Sequence, residues 1–300
     1  MSLARALLVL GRVSNLPTVW SNCLCGWLIG AGTAATGVID WTMLLVVCAG
    51  ATGMYLGGMF LNDACDAAFD REHRPERPIP AGAISERAVW QIGIGLLAAG
   101  VGVLSLQGGT TALLALALFN CILVYNFIHK KIAWAPLLMA LCRLFLILLV
   151  AAFAFKTVLP NESFFAHLRG GQATWTALVL CLYVIGLSAL AKVESAPGPV
   201  RYWPGLLLAA PVVLAWFMNP ADQRTKVFVA AAIFALWVMR SLRHTYWAEK
   251  PDVGRTVGGL LAGIVWVDLL AVAVAPQGVG LIFLGLFAAA LAAQRWVPAT

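Results

Sequence analysis

Ten apolar runs follow one another with short breaks, at about residues 16–36, 42–62, 88–107, 110–128, 134–155, 174–191, 203–218, 225–244, 256–275 and 278–296. Such lengths match the ~20 residues that carry an α-helix across the roughly 30 Å hydrocarbon core of a bilayer. Nothing else in the chain narrows the fold as far. Lipid offers no partner for main-chain N–H and C=O groups, so it admits only helices or closed barrels. The expected fold is all-α: a polytopic membrane helical bundle of nine to ten transmembrane helices, one integral-membrane domain over residues 1–300. Nine applies if the short 203–218 run does not cross, or if the last two runs, parted only by "PQG", act as one. Composition excludes the soluble alternative, with 62% hydrophobic residues, 11% charged and a mean hydropathy of +0.89.

The apolar stretch of "MSLARALLVLGRVSNLP" is interrupted by Arg12 and lacks a small-residue cleavage pattern, so it is expected to lie as a short interfacial helix. The seven cysteines are scattered singly apart from Cys23-x-Cys25 and read as small packing residues, not metal ligands or disulfides. Gly57–Gly58 and Gly258–Gly259 are expected to let helices approach closely.

The basic residues test the count of spans. With the N-terminus inside, Arg5, Arg12, Arg71, Arg74, Arg77, Arg87, Lys130, Lys131, Lys192, Arg201, Arg240, Arg243, Lys250, Arg255 and Arg295 fall on one side. Only Lys156, Arg169, Arg224 and Lys226 fall on the other, a strong positive-inside bias. The expected setting is a bacterial inner membrane, with the N-terminus and the charged loops cytoplasmic. The formal charge of +7 then reflects topology, and no basic, aromatic-interleaved patch points to nucleic acid.

One charged stretch does not fit a plain loop. "NDACDAAFDREHRPERPIP", residues 62–80, follows an apolar run almost without a linker. If the helix continues past Leu61, then Asn62, Asp63, Asp66 and Asp70 share an arc of about 100°. Carboxylates held this close near a membrane repel one another, and a divalent cation relieves the repulsion. All-oxygen ligands suit Mg²⁺, which takes a few carboxylates together with phosphate oxygens and water. Arg71, Arg74 and Arg77 add guanidinium groups suited to phosphate, and Pro78, Pro80 and Gly82 end the helix. Metal-binding carboxylates beside arginines at the mouth of an apolar cavity point to a substrate with a diphosphate head and an apolar tail.

The pattern N-D-x-x-D-x-x-x-D at Asn62–Asp70, followed by R-P-x-P-x-G at Arg77–Gly82, resembles the first aspartate motif of the UbiA superfamily of intramembrane prenyltransferases. Further pieces are similar to that family: "GRVSNLPTVW" with Arg12, Asn15 and Pro17, "VYNFIHKK" with Tyr125, Lys130 and Lys131, and "PLLMALCRL" with Pro136, Met139, Cys142 and Arg143. The likeness covers about residues 10–195. It implies a helical bundle with a central cavity open to lipid, Mg²⁺ bound through Asn62, Asp63, Asp66 and Asp70, and a diphosphate held by basic residues. It further implies transfer of the prenyl group from an isoprenyl diphosphate to an acceptor that the sequence does not identify. Asn15, Asn62, Arg71, Arg77, Tyr125, Lys130 and Arg143 are the substrate-binding candidates; Asp63, Asp66, Asp70 and Lys192 are the catalytic ones.

The second aspartate motif of the family is missing. Residues 186–194, "GLSALAKVE", carry only Ser188, Lys192 and Glu194 as polar groups. The retained first motif with this altered second one resembles a divergent branch that includes the EboC-type proteins. Two readings stay open: Lys192 contacts the diphosphate where a second metal would sit, or the protein binds a prenyl-phosphate lipid, or assists metabolite export, without transfer. Asp268 is expected either to meet an acceptor or to pair with Arg143, and Asn15 either to meet the diphosphate or to cap the first span. His73, His129 and His244 read as solvated loop residues. A CDP-alcohol phosphotransferase would need D-G-x-x-A-R ahead of G-x-x-x-D-x-x-x-D, which does not occur. A secondary transporter would need broken helices in paired repeats.

Overall fold

A computed structural model describes residues 1–34, 36–195, 202–219 and 221–299. Arg201 and the side chain of Glu194 lie outside the described residues. The described residues form thirteen α-helices: α1 (Leu3–Leu10), α2 (Leu16–Ala31), α3 (Trp41–Cys65), α4 (Ala67–His73), α5 (Glu86–Ser105), α6 (Gly109–Ile128), α7 (Ala135–Val158), α8 (Leu168–Ser195), α9 (Trp203–Leu208), α10 (Ala210–Met218), α11 (Arg224–Tyr246), α12 (Val253–Ala271) and α13 (Gln277–Ala293). Among the described residues seven helices are long and apolar enough to cross a membrane, namely α3, α5, α6, α7, α8, α11 and α12. The chain is an all-helical, multi-pass membrane protein.

Local chemistry sets several helix starts. Asp40 accepts from the Met43 amide (3.1 Å), Ser85 from Ala88 (3.2 Å) and Asp252 from Arg255 (2.8 Å), each satisfying an amide the helix leaves open. α1 is a short helix capped by Ser2, as expected, with Ala6 and Leu10 buried and Leu3 and Leu8 exposed.

Two apolar runs behave differently from a simple span. The first is helical only over Leu16–Ala31, where Gly32 ends it in the left-handed region (φ 69°). Its 16 residues rise only about 24 Å, short of the hydrocarbon core. Fourteen of those residues are buried, so the helix is sheathed by protein and does not need to match the lipid. The 203–218 run breaks at Ala209 into α9 and α10, because Pro211 sits in the first turn of α10 and cannot donate to the preceding turn.

The core centres on α2, α7, α8 and α12, and every residue from Leu146 to Phe155 is buried. Close approach depends on small residues. A Cβ on Gly30 would overlap the main chain of Ala151 on α7. A Cβ on Gly57 would lie 2.8 Å from Gly93 O on α5, and one on Gly259 would lie 2.5 Å from Ser241 Oγ on α11, so both glycine pairs allow close approach as expected, the second through Gly259, since Gly258 meets nothing nearer than Gln294 Oε1 at 3.3 Å. Gly30→Ala is therefore expected to lower stability by about 2–3 kcal/mol, the upper range for overpacking, since a main chain cannot swing away. Gly95→Ala, whose Cβ meets nothing within 4 Å, is expected to stabilise slightly. Denaturant titration in detergent separates the two; equal effects would contradict the packing argument.

Candidate active site at the aspartate end of the bundle

The polar end of α3 is built by one helical face. α3 ends at Cys65, Asp66 forms the joint with right-handed dihedrals (φ −88°, ψ −3°), and α4 follows from Ala67. Asn62, Asp66 and Asp70 are spaced four apart and all line one large cavity, together with Arg74 and Arg77. Asp63 belongs to a different face. It is buried, and its Oδ1 receives Arg12 Nη2 (3.4 Å) and Arg77 Nη1 (3.2 Å).

Arg77 also reaches Asp70 Oδ2 (3.1 Å), so it bridges the two carboxylates. Its place is fixed by the loop that follows. Ile79 is buried in a satellite cluster with Leu10, Phe60, Ala64 and Val89, and Gly82 turns the chain at φ 70°. Arg12 takes a left-handed conformation (φ 41°), uncommon for a residue with a Cβ. Its carbonyl accepts the Tyr55 hydroxyl (3.2 Å) and its guanidinium reaches Asn62 Oδ1 (3.5 Å) as well as Asp63.

α6 closes the site from the other side. Lys130 Nζ lies 2.7 Å from Asp66 Oδ1 and 4.0 Å above the Phe69 ring. His129 Nε2 lies 3.6 Å from Asp66 Oδ2, and Tyr125 stacks on the His129 ring at 4.9 Å. Burial pushes the Asp66 carboxyl up, but hydrogen bonds and charge from His129 and Lys130 outweigh it and hold the group below its ordinary range. Asn126, buried, accepts from Asn62 Nδ2 (3.2 Å) and donates to Gly58 O (3.1 Å).

Several expectations need correction. Arg71 does not line the cavity. It pairs with Glu86 Oε2 (2.5 Å) at the start of α5, because one residue beyond Asp70 is a 100° turn away from the cavity face. The expected convergence of Asp63 with Asp66 and Asp70 is not found: among the described residues no three His, Cys, Asp or Glu side chains stand close enough to form a metal cage by themselves. Asn15 precedes α2 without a side-chain capping bond; it lines the cavity, and its amide donates to Ala299 O (2.9 Å) while Ser14 Oγ donates to Pro298 O (3.4 Å). The segment after α13 thus folds back on the mouth. His129 is not a solvated loop residue, its side chain being 16% exposed, whereas His73 is solvated as expected (54% exposed), although it also borders the cavity with its ring stacked on Phe69 at 4.1 Å. Asn126 escaped sequence reading because it is neutral, although its position four before Lys130 puts it on the same helical face.

The cavity holds about 850 Å³. Away from the mouth it is mainly apolar apart from Tyr55 and Arg143, with Met54 and Ala51 from α3, Leu118 and Ile122 from α6, Leu146 from α7, Val184 and Leu187 from α8 and Ile264 from α12. Ser188 and Lys192 of α8 line the same cavity. Lys192 Nζ donates to Ala133 O (2.9 Å) and Ile132 O (3.4 Å) in the turn before α7.

Arg143 and Asp268 do not form a direct ion pair. Arg143 lines the cavity at the level of Tyr55 and donates from Nη1 to Asn22 Oδ1 (2.6 Å) and Thr18 O (3.2 Å), and from Nη2 to Thr18 Oγ1 (2.9 Å). Asn22 Nδ2 donates in turn to Asp268 (2.7 Å), which also accepts Ser21 Oγ (2.5 Å). Asn22 is a relay between opposite charges on α7 and α12.

The UbiA prenyltransferase family matches this chain over residues 23–194, more than half of its length. The chain belongs to that family. The digeranylgeranylglyceryl phosphate synthase of Methanopyrus kandleri is 28% identical over 221 residues, 70% of this chain and 74% of the relative. A synthase of the same name from Metallosphaera sedula is 36% identical over 106 residues, 33% of this chain and 37% of the relative. Among solved structures, the apo form of a UbiA homologue from Aeropyrum pernix K1 aligns with a TM-score of 0.66 at 15% identity, over 87% of this chain and 97% of that one. A digeranylgeranylglyceryl phosphate synthase aligns with a TM-score of 0.60 at 19% identity, over 91% and 98%. These structures establish the UbiA fold. The enzyme class expected from the sequence, prenyltransferase, agrees with the family and with the relatives' names. α12, which lies beyond the family match, supplies Asp268 and part of the cavity wall.

The Arg71 correction is testable. An exposed ion pair is worth roughly 0–1 kcal/mol, so Arg71→Gln is expected to leave stability and ligand retention nearly unchanged. Arg77→Gln leaves two buried carboxylates facing each other and is expected to cost about 3 kcal/mol or more. Parallel unfolding and ligand-retention assays on the two variants check this; a larger loss from Arg71→Gln would return it to the site.

Proposed function

We propose that this chain is a Mg²⁺-dependent intramembrane prenyltransferase that moves the prenyl group of an isoprenyl diphosphate to an acceptor. One observation carries the reading: Asn62, Asp66 and Asp70 share the mouth of an apolar cavity with Arg12, Arg74, Arg77, Lys130 and Lys192. The donor set fits Mg²⁺, which needs one or two protein carboxylates when phosphate and water complete its shell. Asn62, Asp66 and Asp70 would hold it, and it would neutralise charge on the leaving diphosphate.

The protein groups have distinct tasks under this reading. Asp63 orients Arg12 and Arg77 toward the mouth. Arg74, Arg77 and Lys130 receive diphosphate oxygens, and the apolar walls take up the tail and exclude water. As the C1–O bond breaks, its electron pair leaves with the diphosphate, the acceptor nucleophile bonds to C1, and the acceptor loses a proton. Basic groups fixed where negative charge grows lower the barrier more than they favour the bound substrate. Lys192 serves as the diphosphate contact on α8, the side where the family's second aspartates are absent. The positive-inside bias supports a cytoplasmic mouth in an inner membrane, and one membrane domain over residues 1–300 with the motif at 62–70 and an altered second motif at 186–194.

A second reading, binding of a prenyl-phosphate lipid without transfer, is favoured by one observation: Lys192 is occupied by the carbonyls of Ile132 and Ala133. Purified protein with Mg²⁺ and labelled isoprenyl diphosphates, across an acceptor panel, separates the two. Pyrophosphate release with a prenylated product supports transfer; Mg²⁺-dependent retention without release supports binding only. Lys192→Ala is expected to reduce turnover about tenfold or more if the lysine meets the diphosphate, the share of one charge-assisted contact. Unchanged affinity and turnover would remove it from the site.

A further inference from the structure

α6 carries a polar side chain at a depth where lipid offers it no partner. Asn120 is exposed, and it stands well inside the apolar span Gly109–Ile128. Its Nδ2 donates to Leu116 O (2.8 Å), one turn back on its own helix, and among the described residues its Oδ1 receives no hydrogen bond. Asn22, Asn62 and Asn126, by contrast, each bond to another helix. Lys130 lies ten residues further along, a rise of about 15 Å, and Gly109 eleven residues back, about 16 Å. Headgroups are therefore out of reach of so short a side chain, and hydrocarbon supplies neither donor nor acceptor.

The surrounding face suits another helix. Leu113, Leu116, Val124 and Phe127 are exposed, and with Asn120 they fall in an arc of about 80°. Leu113, Asn120 and Phe127 recur every seven residues, the spacing that keeps one side of a helix turned toward a partner. The arc lies opposite the side of α6 on which Leu118, Ile122 and Tyr125 line the cavity. We infer that this face is a dimer interface, on which α6 of a second copy of the chain packs through Asn120. Copies inserted in one orientation carry α6 parallel, and across a two-fold axis a residue at such a central heptad position meets its own counterpart. Asparagine is complementary to itself: the free Nδ2 hydrogen of each copy donates to the Oδ1 of the other, and both leftover groups are satisfied. The flanking leucines and Phe127 close around the pair and exclude lipid. Both cavities stay free, each on the far side of its own α6.

The test is self-association of the fluorescently labelled full-length protein in lipid vesicles over a range of protein-to-lipid ratios, read by energy transfer between copies. The wild type is expected to form dimers. Asn120→Leu is expected to associate about tenfold more weakly, the share of two hydrogen bonds between membrane helices, and Asn120→Gln, which keeps donor and acceptor, to lose less. Leucine is at home in lipid, so the Asn120→Leu protein should fold as well as the wild type. Phe127→Cys is expected to cross-link to its counterpart on oxidation, above the background of the seven native cysteines. A wild type that stays monomeric at every ratio overturns the inference whatever the variants do. Asn120→Leu dimers as tight as those of the wild type, or no added cross-link from Phe127→Cys, overturn it as well. None of these readouts depends on diphosphate binding.

Discussion

Asp66→Asn is expected to abolish Mg²⁺-dependent retention of an isoprenyl diphosphate and to lower turnover by on the order of 10²-fold or more, about 3 kcal/mol of transition-state stabilisation. The substitution keeps the shape of the side chain and removes the charge that faces Lys130 at 2.7 Å. Asp63→Asn should act differently. Asp63 meets Arg12 and Arg77 and does not line the cavity, so its loss loosens two cations and leaves the oxygen donors of Asn62, Asp66 and Asp70 in place. Affinity is then expected to fall while its dependence on Mg²⁺ persists. Titration of Mg²⁺ at fixed diphosphate concentration reads the distinction. Retained Mg²⁺-dependent binding in Asp66→Asn would refute the assignment, and identical behaviour of both variants would refute the division of labour.

The largest effect on stability is expected from Asp268→Leu. Asp268 is 1% exposed, and it accepts from Ser21 and Asn22, which in turn engages Arg143. Ordinary hydrogen bonds between membrane helices contribute little, about 0.6 kcal/mol on average, so the bonds alone would predict a mild variant. Charge decides otherwise: although the two charges meet only through Asn22, loss of the carboxylate removes the countercharge that the relay brings to Arg143, and leaving a buried charge uncompensated costs about 3–5 kcal/mol. The double variant Asp268→Leu with Arg143→Met should recover much of the loss. Unfolding in detergent checks both, and a cost below about 1 kcal/mol for Asp268→Leu alone would show that the relay carries no charge compensation.

Much of this was legible because membrane helices follow simple periodicities. Seven long helices coincide with apolar runs, and Asp66, Asp70, Arg77, Tyr125 and Lys130 sit at the cavity as their motifs implied. What failed was rotational detail. Asp63 stands at the edge of the predicted arc, and its carboxylate meets Arg12 and Arg77 outside the cavity lining. Arg71 looked equivalent to Arg74 and Arg77, yet Glu86 lay in its direction. His129 and Asn126 carried no charge pattern to mark them, and the Arg143–Asn22–Asp268 relay joins residues more than 120 positions apart that no local reading connects. The break at Ala209 had a signal in Pro211, outweighed by the hydropathy around it.

The sheathed helix α2 has a consequence for biogenesis. It is made before α7 and α12, yet at 16 residues it falls short of the bilayer, and its Thr18, Ser21 and Asn22 find their partners on those two helices. A nascent chain that has not yet reached Asp268 therefore holds an early segment poorly suited to remain alone in lipid. Chain order therefore sets an interval: the polar face of α2 is complete only once α12 has been made, and until then the translocon or a membrane chaperone has most to protect.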